Sequence, residues 1–505
     1  MTAMKEKPNL FSFSNNLDSL IAAVAGYILI QIFSKHSGIG VSPDSVTYLS
    51  AARHMASGQG FTSFENLPVV DFPYAYPFFL TIISFFTRQD PLVIAPYLNG
   101  ILFGILLYVS GALMNGFQRS SGWYKRILLA CILMSPALQE LYSMLWSETI
   151  FLLIIIFFII SFSRYLWEMT VRQLLISALI CALACITRYA GIFLVLAGLT
   201  LIFLNLEMPA RKRIIHCLIF GALSVSLFGI NILRNFLLSG LPMGQRPKND
   251  TGVKLVLGNF GGVLCDWLLI DRSPGLAIGL SIGVLAVFAL TILYFYRRKT
   301  SSPGFEYVMA VCGLSYGIFM IFTSTITRYE QFTSRLLSPM FIPMLWSFSW
   351  WIPRFISAKS FRLKWVFGIS TLLLAAWFLN IQLRADYEFY DGVKDAGVPG
   401  YREDPFVQSE IVRFVEKNAS AFDPRLPIYS NAGDAVYFIT GLSARQLPFT
   451  AFPNKVRQYY AIKNTYLIWF RDLDNPEMPV LDSLMKYKNL QLLKELPDGA
   501  VYVSK

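Results

Sequence analysis

Long apolar blocks separated by short polar breaks occupy the chain up to about residue 383. A helix needs roughly 20 apolar residues to cross a bilayer core, and blocks near that length predict spans at roughly 18–36, 91–117, 126–146, 148–163, 173–189, 191–206, 214–238, 275–296, 305–325, 336–352 and 365–383. That makes about eleven transmembrane helices, some short, with tightly joined pairs near Glu148 and Arg188.

The pattern changes between the first two spans, in SPDSVTYLSAARHMASGQGF. Ser42 can cap a helix, Pro43 suits its first position, and Asp44 falls in the first turn, where the helix dipole favours negative charge. Asp44, Tyr48, Ala51 and Met55 recur at helical spacing, and Gly58 and Gly60 supply the stop. The segment predicts a short amphipathic helix beside the membrane with a carboxylate at its mouth. Asp44 either stabilises the helix start or acts on a substrate. In the following FENLPVVDFPYAYPFFLTIISFF, Asp71, Pro73 and Pro77 interrupt an aromatic run that predicts a second helix at the outer interface.

From about Arg384 the apolar blocks stop and charge rises. FVQSEIVRFVEKN and PVLDSLMKY read as helices, PIYSN and NTYLIWF as buried strands, and LQLLKEL with GAVYVSK as a hairpin. The expected organisation is a transmembrane domain over 1–383, with outward loops at 37–90 and 240–274, and a small α/β domain over 384–505.

Composition agrees: 505 residues at 55% hydrophobic and 15% charged are too apolar for a soluble protein of this size. Basic residues collect in every second connection, as in Arg211, Lys212 and Arg213 or Arg297, Arg298 and Lys299. By the positive-inside tendency those loops and the N-terminus are cytoplasmic, while Asp44, Glu148, 240–274 and the tail face outward. The net charge of +12 is therefore largely topology, not a nucleic-acid patch. The six cysteines lie mostly in expected spans, and His36, His54 and His216 lack ligand spacing, so neither a disulfide framework nor a protein metal site is expected.

Ionisable residues near the outer ends of spans are the candidates for chemistry, because charge at that depth needs a partner or a wet cavity. Glu140 and Glu148 lie in SPALQELYSMLWSETIFLL, and Arg188 lies at a hairpin turn in CITRYAG. Arg188 can grip a phosphate, pair with Glu148 or snorkel to the interface. Arg246 and Lys248 sit in the 240–274 segment, which reads as a covering loop. Arg335 precedes an apolar block and suits an anionic head group, or pairs at the surface with Glu330.

Taken together, DSVTYLSAARHMASGQGF, YPFFLTIISFF, LWSETIFLL, CITRYAG and SRLLSPMFIPML resemble the membrane-embedded GT-C glycosyltransferases. The likeness covers roughly the first 350 residues and is strongest to the bacterial branch of protein O-mannosyltransferases and the lipid A aminoarabinose transferase. It implies transfer of a sugar from a polyprenyl-phosphate carrier to a lipid, glycan or protein acceptor on the non-cytoplasmic side of a bacterial membrane, usually with inversion. It makes Asp44 the general base, has Glu148 assist it or bind acceptor, and turns Arg335 and Arg188 to the donor phosphate. Tyr48, Asp71, Glu140, Arg246 and Lys248 stand as weaker substrate contacts. Many members carry two adjacent acids in the first loop, whereas Ser45 follows Asp44 here. No cofactor is implied, and use of a divalent metal stays open. A lipid or solute transporter and a surface-polysaccharide ligase or polymerase are the competing readings.

Overall fold

A computed structural model of the chain describes residues 15–116, 122–246, 249, 251–298, 304–327, 332–357, 361–473 and 475–504. Helix α1 (Leu17–Phe33) leads into two short helices, α2 (Pro43–Ala56) and α3 (Ala75–Thr87), before α4 (Pro91–Met114). The bundle continues through α5 (Gly122–Leu133), α6 (Pro136–Tyr142), α7 (Glu148–Glu168), α8 (Val171–Thr187), α9 (Ile192–Phe203) and α10 (Ala210–Ser239). It closes with α11 (Val253–Leu268), α12 (Pro274–Arg298), α13 (Phe305–Ile326), α14 (Ser334–Ser357) and α15 (Phe361–Ala396). Among the described residues, six helices are long and apolar enough to cross a membrane: those in α4, α7, α10, α12, α13 and α15. This is a multi-pass membrane protein, and α7 runs through its centre with Phe151, Phe158 and Phe162 fully buried.

Three features depart from the pattern expected of the sequence. The block at 126–146 is not one span, because Ser135 turns extended ahead of Pro136 and splits it into α5 and α6. The 240–274 segment is not an open loop, because Val256, Phe260, Val263, Leu264 and Trp267 recur at helical spacing and bury one side of α11. Helix α15 passes straight through residue 384 and ends only at Ala396, so the rise in charge begins before the helix stops.

Helices α2 and α3 form as the apolar spacing predicts. The Ser42 amide donates to Ser45 Oγ at 3.1 Å, and Arg53 Nε near the other end donates to Asp90 Oδ2 at 2.7 Å. Asp90 also caps α4 by accepting from the Leu92 amide at 2.9 Å. Helix α3 leaves Phe85 and Phe86 more than three-quarters exposed, a surface suited to lipid. At the opposite end of the bundle, buried Lys125 pairs with Asp18 at 2.6 Å and fixes α5 to the start of α1.

The C-terminal part holds α16 (Asp404–Gln408), α17 (Glu410–Lys417), β1 (Ile428–Ser430), α18 (Gly433–Thr440) and β2 (Ala444–Gln446). After these come α19 (Pro453–Ala461), β3 (Thr465–Phe470), α20 (Leu481–Tyr487), β4 (Leu490–Leu496) and β5 (Gly499–Ser504). The sheet order is β2-β1-β3-β5-β4, with β1 parallel to both neighbours and the β4–β5 hairpin antiparallel. Leu467, Ile468 and Ala500 are fully buried, so the sheet carries its own core.

This domain packs on the start of α2. The Tyr401 amide donates to Val41 O at 2.8 Å, the Gln446 amide donates to Glu65 Oε1 at 2.7 Å, and Val41, Val46 and Phe64 share a cluster with Tyr437. Gly400 makes the approach possible: its φ is +117°, and a Cβ there would lie 2.3 Å from Val41 O. Gly400→Ala is expected to cost about 2 kcal/mol or more and to loosen this contact. Faster protease cleavage between 384 and 404 in the intact protein, against wild type, would register it.

Candidate functional site

The site assembles where a non-helical turn, 143–147, meets the start of α2. Gly40 N donates to Ser143 O at 2.8 Å and Leu145 N donates back to Gly40 O at 3.0 Å, a single bridge that lays the two segments side by side. Asn99 of α4, buried, donates to Tyr142 O and Met144 O at 2.9 and 2.8 Å, and Tyr142 Oη donates to Thr149 O at 2.9 Å. The two Asn99 bonds satisfy carbonyls that the break after α6 leaves outside any helix ladder, and the Tyr142 bond ties the break to the first turn of α7. The turn thereby delivers Trp146, Ser147 and Glu148 to the first turn of α2.

Four ionised side chains meet there. Arg335, in the first turn of α14, places Nε 2.6 Å from Glu148 Oε1 and Nη2 2.7 Å from Asp44 Oδ2. Arg188, at the end of α8, places Nη1 2.6 Å from the same Glu148 oxygen and donates to Ser147 Oγ at 2.8 Å. Tyr48 Oη lies 3.3 Å from Ser147 Oγ, one turn along α2 from Asp44. Burial, followed by the Asp44 carboxylate, pushes the Tyr48 phenol above its ordinary range, so it stays a neutral hydrogen-bonding group.

The four members differ in reach. The Glu148 side chain is 1% exposed, Arg335 and Arg188 are 16% and 18%, and Asp44 is 33%. Glu148 therefore lies beneath the site with both guanidiniums against it, and Asp44 is the acid that a solute can touch. Arg335 pairs with these two acids, whereas Glu330, its expected surface partner, lies outside the described residues.

Of the weaker candidates, Tyr48 joins the site and Glu140 stands within the field of Arg335. Asp71 and Arg246 meet each other instead, Arg246 Nη2 donating to Asp71 O at 3.2 Å. They belong to a latch in which Arg234 donates to Val69 O, and Asn235 and Tyr189 Oη donate to Val70 O, tying the 60–74 segment to α10. Lys248 lies outside the described residues. Among the described residues no group of three or more His, Cys, Asp or Glu side chains is placed to hold a metal ion.

Sequence reasoning missed Trp146. Its ring lies 4.3 Å under the Arg335 guanidinium, and its indole N–H donates to Ser42 Oγ at 2.8 Å. The motif LWSETIFLL contains it, yet an apolar block before an acid looks the same whether or not its tryptophan faces a cation. Also missed was Asp434, which accepts from Tyr401 Oη at 2.6 Å and lies within electrostatic reach of Asp44.

Burial first, with further contributions from neighbouring acids, holds the Asp434 and Glu65 carboxyls above the ordinary carboxylate range. A raised folded-state value means the docked form binds more protons, so its stability falls as pH rises from the ordinary carboxylate range through the raised values. Hydrogen exchange at the α2–α18 contact, followed from about pH 4 to 7, should show protection decreasing upward.

A cavity of about 690 Å³ lies between α2 and α3, lined by Met55, Phe78, Thr81, Phe85 and Asp90. Another of about 200 Å³, at Met169, Asn205 and Tyr307, is lined by a different part of the bundle. Neither contains a member of the ionic group.

The helical bundle, with an α/β domain docked beside the ionic group, has counterparts among solved structures. ArnT from Cupriavidus metallidurans in the apo state matches at a TM-score of 0.56 and 11% identity, over 96% of this chain and 97% of that one. The same protein bound to undecaprenyl phosphate matches at a TM-score of 0.55 and 12% identity, over the same shares of the two chains. At such identities the likeness is one of fold, and the fold is the one the motifs led to. No protein-family model and no curated protein matches the sequence.

Proposed function

We propose that this protein transfers a sugar from a polyprenyl-phosphate-linked donor to an acceptor hydroxyl at the extracytoplasmic face of the membrane, with inversion. The observation that carries the reading is the ionic group itself: an accessible carboxylate, Asp44, bonded to a guanidinium, Arg335, that a buried acid holds in place. Such a pair supplies what the reaction needs. A carboxylate within hydrogen-bond reach can take the acceptor's proton as the new bond forms. A guanidinium can receive the charge that develops on the departing phosphate, and its planar fork matches phosphate oxygens. Glu148 then serves as the anchor that aims Arg335 and Arg188, with Tyr48 completing the wall through Ser147. Binding of undecaprenyl phosphate by ArnT supports the choice of carrier. The basic residues in alternate connections support the outward orientation.

The test is turnover by the purified protein in lipid nanodiscs, with a panel of polyprenyl-phosphate sugars and candidate acceptors. Appearance of glycosylated acceptor with inverted anomeric configuration is the expected result. Release of intact donor to the opposite leaflet without bond cleavage would instead make it a transporter. Transfer only from diphosphate carriers would make it a polysaccharide ligase or polymerase.

A further inference from the structure

Two carboxylates and two guanidiniums leave the ionic group formally neutral near pH 7 before any substrate arrives. Arg335 alone reaches both acids, with Nε on Glu148 and Nη2 on Asp44. Its two attachments are unequal. Glu148 is fully buried, and the Trp146 ring, held by its own hydrogen bond to Ser42, supports the guanidinium face. Asp44 is the most exposed of the four, so the Nη2 edge is the one open to exchange.

We propose that Arg335 is shared between the base and the leaving group. The donor phosphate takes the Nη2 edge from Asp44, and that exchange frees the carboxylate to receive the acceptor's proton. This rests on the lipid-phosphate donor reading above. The ion pair holds Asp44 Oδ2 against Arg335, and the oxygen that the exchange releases is the one that takes the acceptor's proton. As the acceptor oxygen bonds to the anomeric carbon, the bond from that carbon to the phosphate oxygen breaks and its electron pair stays on the phosphate. The acceptor's proton passes to Asp44. Asp44 loses one negative charge while the phosphate gains one, and Arg335 stays protonated throughout. The total negative charge facing the guanidinium is constant, so no uncompensated charge appears beside the buried Glu148. Trp146 is the positioning residue, a flat support across which the guanidinium can change partners without leaving Glu148.

Equilibrium binding of undecaprenyl phosphate to the intact protein in nanodiscs, with undecaprenol as the unphosphorylated control, tests the exchange. Asp44→Asn removes the competitor and is expected to tighten binding by about five- to tenfold, whereas Arg335→Gln weakens it by more than about tenfold. In the Arg335→Gln background, Asp44→Asn should change affinity by less than about twofold. Equal gains in the two backgrounds would mean that the carboxylate merely repels the phosphate, and the shared guanidinium would be wrong. No gain in either background rejects it too. A wild-type protein that does not distinguish undecaprenyl phosphate from undecaprenol removes the donor reading, and this proposal with it. If Arg335→Gln does not fold, Arg335→Lys takes its place: one ammonium cannot hold both acids, so the gain from Asp44→Asn should fall below about half of its wild-type size. An undiminished gain there overturns the proposal.

Discussion

Asparagine at position 44 should lower turnover by a factor on the order of 10² to 10⁴, the usual contribution of a positioned general base, while the protein folds and binds undecaprenyl phosphate at least as tightly as wild type. The side chain keeps its size and its place in the first turn of α2, and it loses the ability to take a proton. Asp44 is one-third exposed, so the substitution takes away an accessible partner of Arg335 while its pair with the buried Glu148 stays in place. Loss of catalysis and loss of folding are therefore separable, and a thermal melt run beside the turnover assay separates them. Unchanged turnover would remove Asp44 from the mechanism.

The second large effect belongs to Glu148 and falls on stability as well as rate. Two guanidinium nitrogens lie 2.6 Å from one of its oxygens, and its side chain is 1% exposed. Removing that charge by Glu148→Leu leaves two neighbouring cations without their shared counter-ion, a change that typically costs about 3–5 kcal/mol. Thermal unfolding in detergent should register it as a lowered melting temperature. Pairing it with Arg188→Leu removes one of the stranded cations and should recover part of the loss, so the two substitutions are not additive. If Glu148→Leu alone melts with wild type, the buried carboxylate is not the anchor that its geometry describes.

How much of this could be read from the chain differs between parts. The helix α2 with Asp44 in its first turn follows from local rules: cap, proline, spacing and glycine stop all point the same way. The strands at Ile428–Ser430 and Thr465–Phe470 and the final hairpin were legible for the same reason. Helix α11 was not, because glycines and scattered charges in 240–274 imitate a loop until its apolar residues find α12. The split after Leu133 was hidden because an apolar block reads as one span despite the Ser-Pro step inside it.

At the site, individual charges were visible but their pairing was not. Arg188 offered three readings, and only the position of α8 beside α7 selects the ion pair with Glu148. Arg335 and Asp44 lie nearly three hundred residues apart in a chain whose loops alone say nothing about which ends meet. Trp146 escaped because its cation comes from α14, and Asp434 because a tail separated by composition gives no hint that it returns to α2.

The most direct measurement uses undecaprenyl phosphate carrying a photoreactive group next to the phosphate, cross-linked to the protein in nanodiscs and mapped by mass spectrometry. Labelling should concentrate on peptides carrying Trp146 to Glu148 and Arg335, and excess unlabelled undecaprenyl phosphate should suppress it. Labelling confined to the outward faces of α12 and α15, with those peptides untouched, would contradict the assignment of this ionic group to a lipid-linked sugar donor.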